Sequence, residues 1–172
     1  MSLEFLTPTG PAPAKSPIHA RTERDGAKFQ ERDGWLVAAS FEGEDPGAPV
    51  RWSDLSHLRK TQVSSGGHPM SPSSGLVLGE QVDGLDITTQ LAAIRVAGPQ
   101  ARETIARFCA LDLRPDVSPP GSFRPGSVAR NPGYVLVEQD AFLLLFGSAY
   151  GEYVWDVVAD AGRHLGGGPA GA

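Results

Sequence analysis

The order of apolar segments between Leu91 and Gly166 constrains the fold more than any other feature of this sequence. It starts from "ITTQLAAIRVAG" (Ile87–Gly98), rich in β-branched residues and closed by Gly98-Pro99, which predicts a strand. Pro99 then opens a helix, a position where its missing amide costs nothing. Ala101, Ile105 and Phe108 share one side of that helix, leaving Arg102, Glu103 and Arg107 for water. A Pro-rich loop, Pro115–Gly126, leads to "YVLVEQDAFLLLF", a hairpin turned at Gln139-Asp140. Ser148 is the candidate N-cap of a second helix. Tyr150, Tyr153, Val154, Val157, Val158 and Ala161 recur there at helical spacing, and Gly162 and the later glycines end it. The β-α-β-β-α order predicts an α+β fold containing most of a ferredoxin-like split βαβ unit. Its expected core is Ile94, Val96, Ile105, Phe108, Leu143, Leu145, Val154 and Val158.

The amino-terminal half is less periodic. "WLVAASF" after the Asp33-Gly34 turn predicts a strand; "LRKTQVSS" and "GLVLGEQV" are weaker ones. The charged stretch between Ser16 and Phe41 reads as a helical turn or loop, Arg51–Ser56 as turn formers, and Gly66–Ser74 as a polar loop. Three units result: a flexible Pro-rich arm over 1–15, a domain over 16–165 and a flexible glycine-rich tail over 166–172.

Bulk properties narrow the function classes. At 172 residues the chain suits one domain that needs no metal or disulfide staple. Its 20 acidic against 15 basic residues argue against a nucleic-acid binder. No apolar run is long enough to span a bilayer, and Met1–Thr9 lacks the basic start and apolar core of a signal peptide, so a cytoplasmic protein that avoids membranes is expected. The single cysteine, Cys109, cannot form an internal disulfide; it follows Phe108 at a helix end and is expected to be buried. His19, His57, His68 and His164 show no metal-ligand spacing, so no metal site is expected.

Asp54 and His57 lie in one short segment and are the acid–base pair to consider. The preferred reading is a turn in which Asp54 caps a backbone amide. No catalytic residue is assigned. Trp35, Trp52, Tyr134 and Trp155 are aromatics that could stack on a ligand, though aromatics more often supply core or interface area. Trp155 lies roughly 120° from the centre of its helix's apolar stripe, which predicts exposure and a partner contact. Glu152, Asp156 and Asp160 read as a solvated face.

Four stretches carry a family resemblance. "SPIHARTERDGAKFQERDGW" resembles the amino-terminal signature of glycine-cleavage T-proteins, matching it at Ser16, Pro17, His19, Gly26, Ala27, Lys28, Gly34 and Trp35. "WSDLSHLRKTQVSSG" is similar to that family's Asp-Val-Ser-His segment through Asp54, Ser56 and His57. "LAAIRVAGPQARETIARFCALDLRPDVSPPGSF" and "SAYGEYVWDVVADA" resemble the gamma subunit of heteromeric sarcosine oxidases. The resemblance implies a truncated T-protein-type folate-binding domain over 16–165. It also implies a place in one-carbon metabolism, tetrahydrofolate as the ligand to consider, and a larger flavin- and folate-binding oxidase subunit as partner.

Departures from the pattern shape the functional expectation. The family's catalytic Asp, in an Ile-Asp-Asp-like strand, has no counterpart in the 40 residues between His57 and Gly98. The Gly-Tyr-Thr-Gly-Glu motif that holds the pterin is matched only by Gly133-Tyr134, and Glu138 falls one place late. The expectation is an accessory, non-catalytic subunit of a sarcosine oxidase-like system. The alternative is a free-standing folate-binding protein or degenerate aminomethyltransferase. If a ligand binds, the residues implied are Trp35, Asp54, His57 and Tyr134.

Overall fold

The computed structural model describes residues 12–172. Most of the expected arm, 1–11, lies outside the described residues. The chain forms β1 (Ala14–Lys15), α1 (His19–Arg24), β2 (Ala27–Arg32), β3 (Trp35–Phe41), β4 (Arg51–Asp54) and β5 (Lys60–Val63). It continues through β6 (His68–Ser71), β7 (Ser74–Leu78), β8 (Leu85–Asp86) and β9 (Leu91–Ala97) to α2 (Ala101–Ala106). Last come β10 (Phe123–Val128), β11 (Asn131–Val137), β12 (Ala141–Gly147), a 3₁₀ turn (Ser148–Tyr150), α3 (Gly151–Arg163) and β13 (Gly168–Pro169).

The fold is α+β, with three sheets and short helices. The largest sheet has the order β10-β11-β12-β9-β4-β13. The strand-helix-hairpin-helix order read between Leu91 and Arg163 is present as β9-α2-β11-β12-α3. In a ferredoxin-like unit the strand after the second helix would lie beside the first strand. Here β4 occupies that place, antiparallel to β9, and β13 pairs parallel with the outside of β4.

Strand alternation divides the core in two. Ala92, Ile94, Val96, Val135, Val137, Phe142, Leu144 and Phe146 face the helices in the main cluster, with Ile105, Val154 and Val158 against them. The opposite face sends Ala93, Leu143 and Leu145 to a smaller cluster closed by Leu76. Leu143 and Leu145 are thus core, but on the side away from the helices. Phe108 is only partly buried, because α2 ends at Ala106 and leaves its ring at the margin.

The amino-terminal segments form more regular structure than their composition suggests. Asp33 and Gly34 both take positive φ, the two-residue turn that joins β2 to β3. Arg51–Asp54 is a strand rather than a turn, since Trp52 is fully buried beneath α3. His68–Ser71 is a strand, paired with β7 as a hairpin. Phe123–Val128, partly within the expected Pro-rich loop, is the end strand beyond β11, where Pro125 is tolerated.

Five expectations for the helix and the tail are corrected. Trp155 is fully buried, and its Nε1 donates to Asp25 Oδ2 at 2.9 Å. Conversely Tyr150 and Tyr153 are 46% and 49% exposed. The apolar stripe rotates because α1 and β3 also pack on α3, adding Ile18, Ala38 and Phe41 to the contact. Glu152 and Asp156 are paired rather than freely solvated: Arg21 bridges both at 3.4 and 3.0 Å, and Arg24 reaches Asp156 at 3.2 Å. Gly162 lies inside α3, where a Cβ would stand 2.5 Å from the Trp52 ring. The tail, expected to fray, is docked. Gly168 and Ala170 donate to the carbonyls of Val50 and Trp52, and Ala172 donates to Ala38 across in the first sheet.

Candidate functional site

A polar-lined cavity of about 670 Å³ opens where the first and third sheets meet. Asp33 and Trp35 reach it from the β2–β3 turn, His57, Leu58 and Arg59 from the β4–β5 connection, and Gly79, Gln81, Asp86, Thr88 and Thr89 from the segment around β8. A volume of this size suits a small organic ligand.

The β4–β5 connection is fixed by its own polar groups. Asp54 Oδ1 accepts the Ser56 amide at 2.9 Å, the capping role expected for this aspartate. Ser56 Oγ accepts the Ala93 amide at 3.1 Å, tying the turn to β9. Lys60, wholly buried, donates its Nζ to the Ser56 carbonyl at 2.9 Å and the Leu58 carbonyl at 2.8 Å. These bonds bracket His57 and hold it against the cavity. Burial lowers the His57 pKa; Asp54 opposes this, while Arg32 and Lys60 add to it. His57 therefore presents a neutral imidazole near pH 7.

Of the residues implied by resemblance, Trp35 and His57 line the cavity. Asp54 is 5% exposed and occupied with Ser56 behind the wall. Tyr134 belongs to the smaller core cluster: its ring stacks on Phe123 at 5.0 Å, and Phe123 stacks on His68 at 4.9 Å. Glu138, the misplaced member of the pterin motif, forms a 2.7 Å ion pair with Arg95. Cys109 is buried, which pushes its thiol pKa up. Among the described residues there is no cluster of three metal-ligating side chains, and no helix is long and apolar enough to cross a membrane.

Sequence reasoning missed Lys60, Arg59, Asp86 and Thr88. Lys60 offered no signal, since a lysine in a short polar strand normally faces water. Asp86 and Thr88 did carry one: an Asp two residues before a Thr can cap its amide, and Asp86 Oδ1 accepts Thr88 N–H at 2.9 Å. Arg59 pairs with Asp86 at 3.5 Å, so much of the cavity's charge is already internally matched. The lining can hold a planar polar molecule by stacking on Trp35 and hydrogen bonding to Gln81, Thr88 and Thr89. Among the described residues it contains no hydrogen-bonded carboxylate–imidazole pair: Asp54 serves Ser56 instead of His57.

Burial lowers the Lys60 pKa to about 8, although Asp54 and Asp86 favour its charge. The direction sets a stability prediction. Between about pH 8 and 10.5 the unfolded chain keeps this proton while the folded chain has lost it, so stability rises with pH across that window. A difference of this size corresponds to roughly 3 kcal/mol. Relative to Lys60→Met, which cannot titrate, wild-type protein should gain about that much between pH 7.5 and 10.5. Urea midpoints across this range test it; a wild-type-minus-variant difference that stays flat would show that Lys60 is not a desolvated cation.

Neither a protein-family model nor a curated sequence matches this chain. Among solved structures it superposes on a chain of the heterotetrameric sarcosine oxidase from Corynebacterium sp. U-96, determined in complex with pyrrole 2-carboxylate. The TM-score is 0.68 at 12% identity, covering 88% of this chain and 96% of that one. The glycine cleavage system aminomethyltransferase T from Bartonella henselae aligns at a TM-score of 0.33 and 12% identity, over 86% of this chain and 35% of that one, too weakly to support an argument. With β4, the third sheet and the docked tail in place, the chain has, almost end to end, the fold of one chain of a heterotetrameric sarcosine oxidase.

Proposed function

We propose that this protein is an accessory, non-catalytic subunit of a sarcosine oxidase-like one-carbon system, working in the cytoplasm and bound to a larger flavin- and folate-carrying chain. The observation that carries this reading is the extent of the fold match: the shared segment is 88% of this chain and 96% of the oxidase chain. The matching oxidase chain is therefore slightly shorter than this one, the size of a small subunit. The site supports a non-catalytic role, since Asp54 is spent on a backbone cap and Glu138 on an ion pair. In this reading residues 16–165 are a T-protein-like folate-binding-type domain that keeps its shape for assembly.

The test is reconstitution with the large chains of flavin-dependent amine oxidases from the same source. A complex that elutes as one species, carries flavin absorbance and scatters light at the summed mass is expected. If no such chain binds, the accessory reading falls.

The alternative, a tetrahydrofolate-binding protein or degenerate aminomethyltransferase, is favoured by one observation: Trp35 and His57 line a cavity of suitable size. Titration with 5-formyltetrahydrofolate, followed by tryptophan fluorescence, separates the two. Saturable binding lost in His57→Ala, without any oxidase partner, would favour the alternative, as would aminomethyl-group turnover abolished by Asp54→Asn. Tyr134, stacked in the smaller core, is expected to contribute only if the ligand opens that packing.

A further inference from the structure

We propose that the Glu80–Asp86 loop and the cavity beside it form a docking site for a basic, extended segment of a partner protein, one carrying an apolar residue next to its Lys or Arg. This goes beyond the accessory-subunit reading, because the surface is defined by its own chemistry and is tested without an oxidase chain.

Three observations converge on this loop. Leu85 is 61% exposed and Val82 36%, and Leu85 is the most exposed large apolar side chain among the described residues. Water contact with such a residue is unfavourable, and a neighbouring chain that covers it gains the burial. Acidic groups outnumber basic ones around it. Glu80, Asp83 and Asp86 fall within seven residues that include no cation, and Asp33 stands on the facing wall of the cavity. Among the described residues Arg59 is the one arginine or lysine lining that cavity, and it is paired with Asp86. His57 does not compensate, being held neutral by burial. Finally, β8 is the end strand of its sheet, in the order β6-β7-β5-β8, and no described strand pairs with its outer side.

These features fix the chemistry of the occupant. An open strand edge accepts an extended main chain. Glu80, Asp83 and Asp33, which have no ion-pair partner among the described residues, attract a cation and repel nucleic acid and acidic peptides. The cavity takes one long basic side chain: its aliphatic stem lies along Trp35 and Leu58, and its head reaches Asp33. Leu85 then packs against the apolar neighbour of that residue.

The probe is a nonapeptide of alternating Leu and Lys, compared with one of alternating Leu and Glu, added to the full chain. Hydrogen exchange over residues 79–86 and tryptophan fluorescence report binding. The Lys peptide should protect the loop and lose affinity as salt is raised. Leu85→Ser and Asp83→Lys should each weaken it about tenfold; both residues are exposed, so both variants should fold. Asp160→Lys, an equal charge change on the far face of α3, should bind as wild type. The proposal is overturned if the Glu peptide binds equally well, if Asp160→Lys weakens binding as much as Asp83→Lys, or if the loop gains no protection. Failure of oxidase reconstitution with success here would remove the accessory reading and leave this surface standing.

Discussion

Replacing Trp155 with alanine should remove a large part of the stability of this domain. The indole is fully buried, stacks on Phe41 at 6.2 Å and donates Nε1 to Asp25 at 2.9 Å. Truncating a buried Trp to Ala costs about 3–5 kcal/mol through lost transfer and the cavity left behind. Asp25, itself mostly buried and also within 3.6 Å of Arg163, would lose its indole donor, adding about 1–3 kcal/mol. Whole domains have only about 5–15 kcal/mol to lose. Trp155→Phe keeps most of the apolar volume and loses the donor, so it should cost about 1–3 kcal/mol. Urea unfolding of the three proteins tests the order. A Trp155→Ala cost below about 1 kcal/mol would restore the exposed, partner-facing tryptophan that helical periodicity suggests.

The second large effect should come from the tail. Gly168–Ala172 runs between β4 of the large sheet and β3 of the first sheet, and its main chain is bonded from both sides. Val50 and Trp52 accept its amides on one side, and Ala38 does so on the other. Side chains add to this: Gly171 N–H reaches Glu44 at 3.1 Å, Ser53 Oγ donates to the Gly171 carbonyl at 3.0 Å, and Arg32 donates to the Ala172 oxygen at 2.8 Å. Each bond contributes about 0.5–1.5 kcal/mol net, offset by the chain entropy of ordering five residues. Deleting Gly168–Ala172 should therefore cost about 2–4 kcal/mol. Two point variants discriminate docking from mere presence. A Cβ at Gly171 would stand 2.0 Å from the Ala39 carbonyl oxygen, so Gly171→Ala should displace the tail and cost nearly as much as its deletion. A Cβ at Gly168 meets nothing within 4 Å, so Gly168→Ala should stay within about 0.5 kcal/mol of wild type. Equal costs for the two alanines would mean that the tail is not held between the sheets.

Legibility followed the range of the forces involved. β9, α2, the β11–β12 hairpin and α3 announce themselves through local periodicity and turn chemistry, as does β3 behind the Asp33-Gly34 turn. The hairpin between β10 and β11 does not. Its turn is Ala129-Arg130, both at positive φ, where glycine or asparagine would be the usual marker. At the site, the cap made by Asp54 follows from an Asp placed two residues before Ser56, a local rule. The burial of Lys60 does not, since it depends on carbonyls of a turn that another strand, β9, holds in place.

By itself the sequence determined the α+β class and the order β9, α2, β11, β12, α3, though neither β10 nor which face of the sheet Leu143 and Leu145 take, because period and turn residues act within a few positions of the chain. Tertiary structure decided what those elements meet. The turn formers of Arg51–Asp54 became a strand inside the large sheet because Trp52 had α3 to lie under. Trp155 became core because α1 and β3 cover a second side of α3, which no helical wheel contains. The glycine-rich tail became a strand because carbonyls of β4 and β3, distant in sequence, accept its amides and the close approach leaves no room for a Cβ at Gly167 or Gly171. Hydrogen bonds and contacts across a hundred residues leave no period in the sequence, so only the folded chain reveals them.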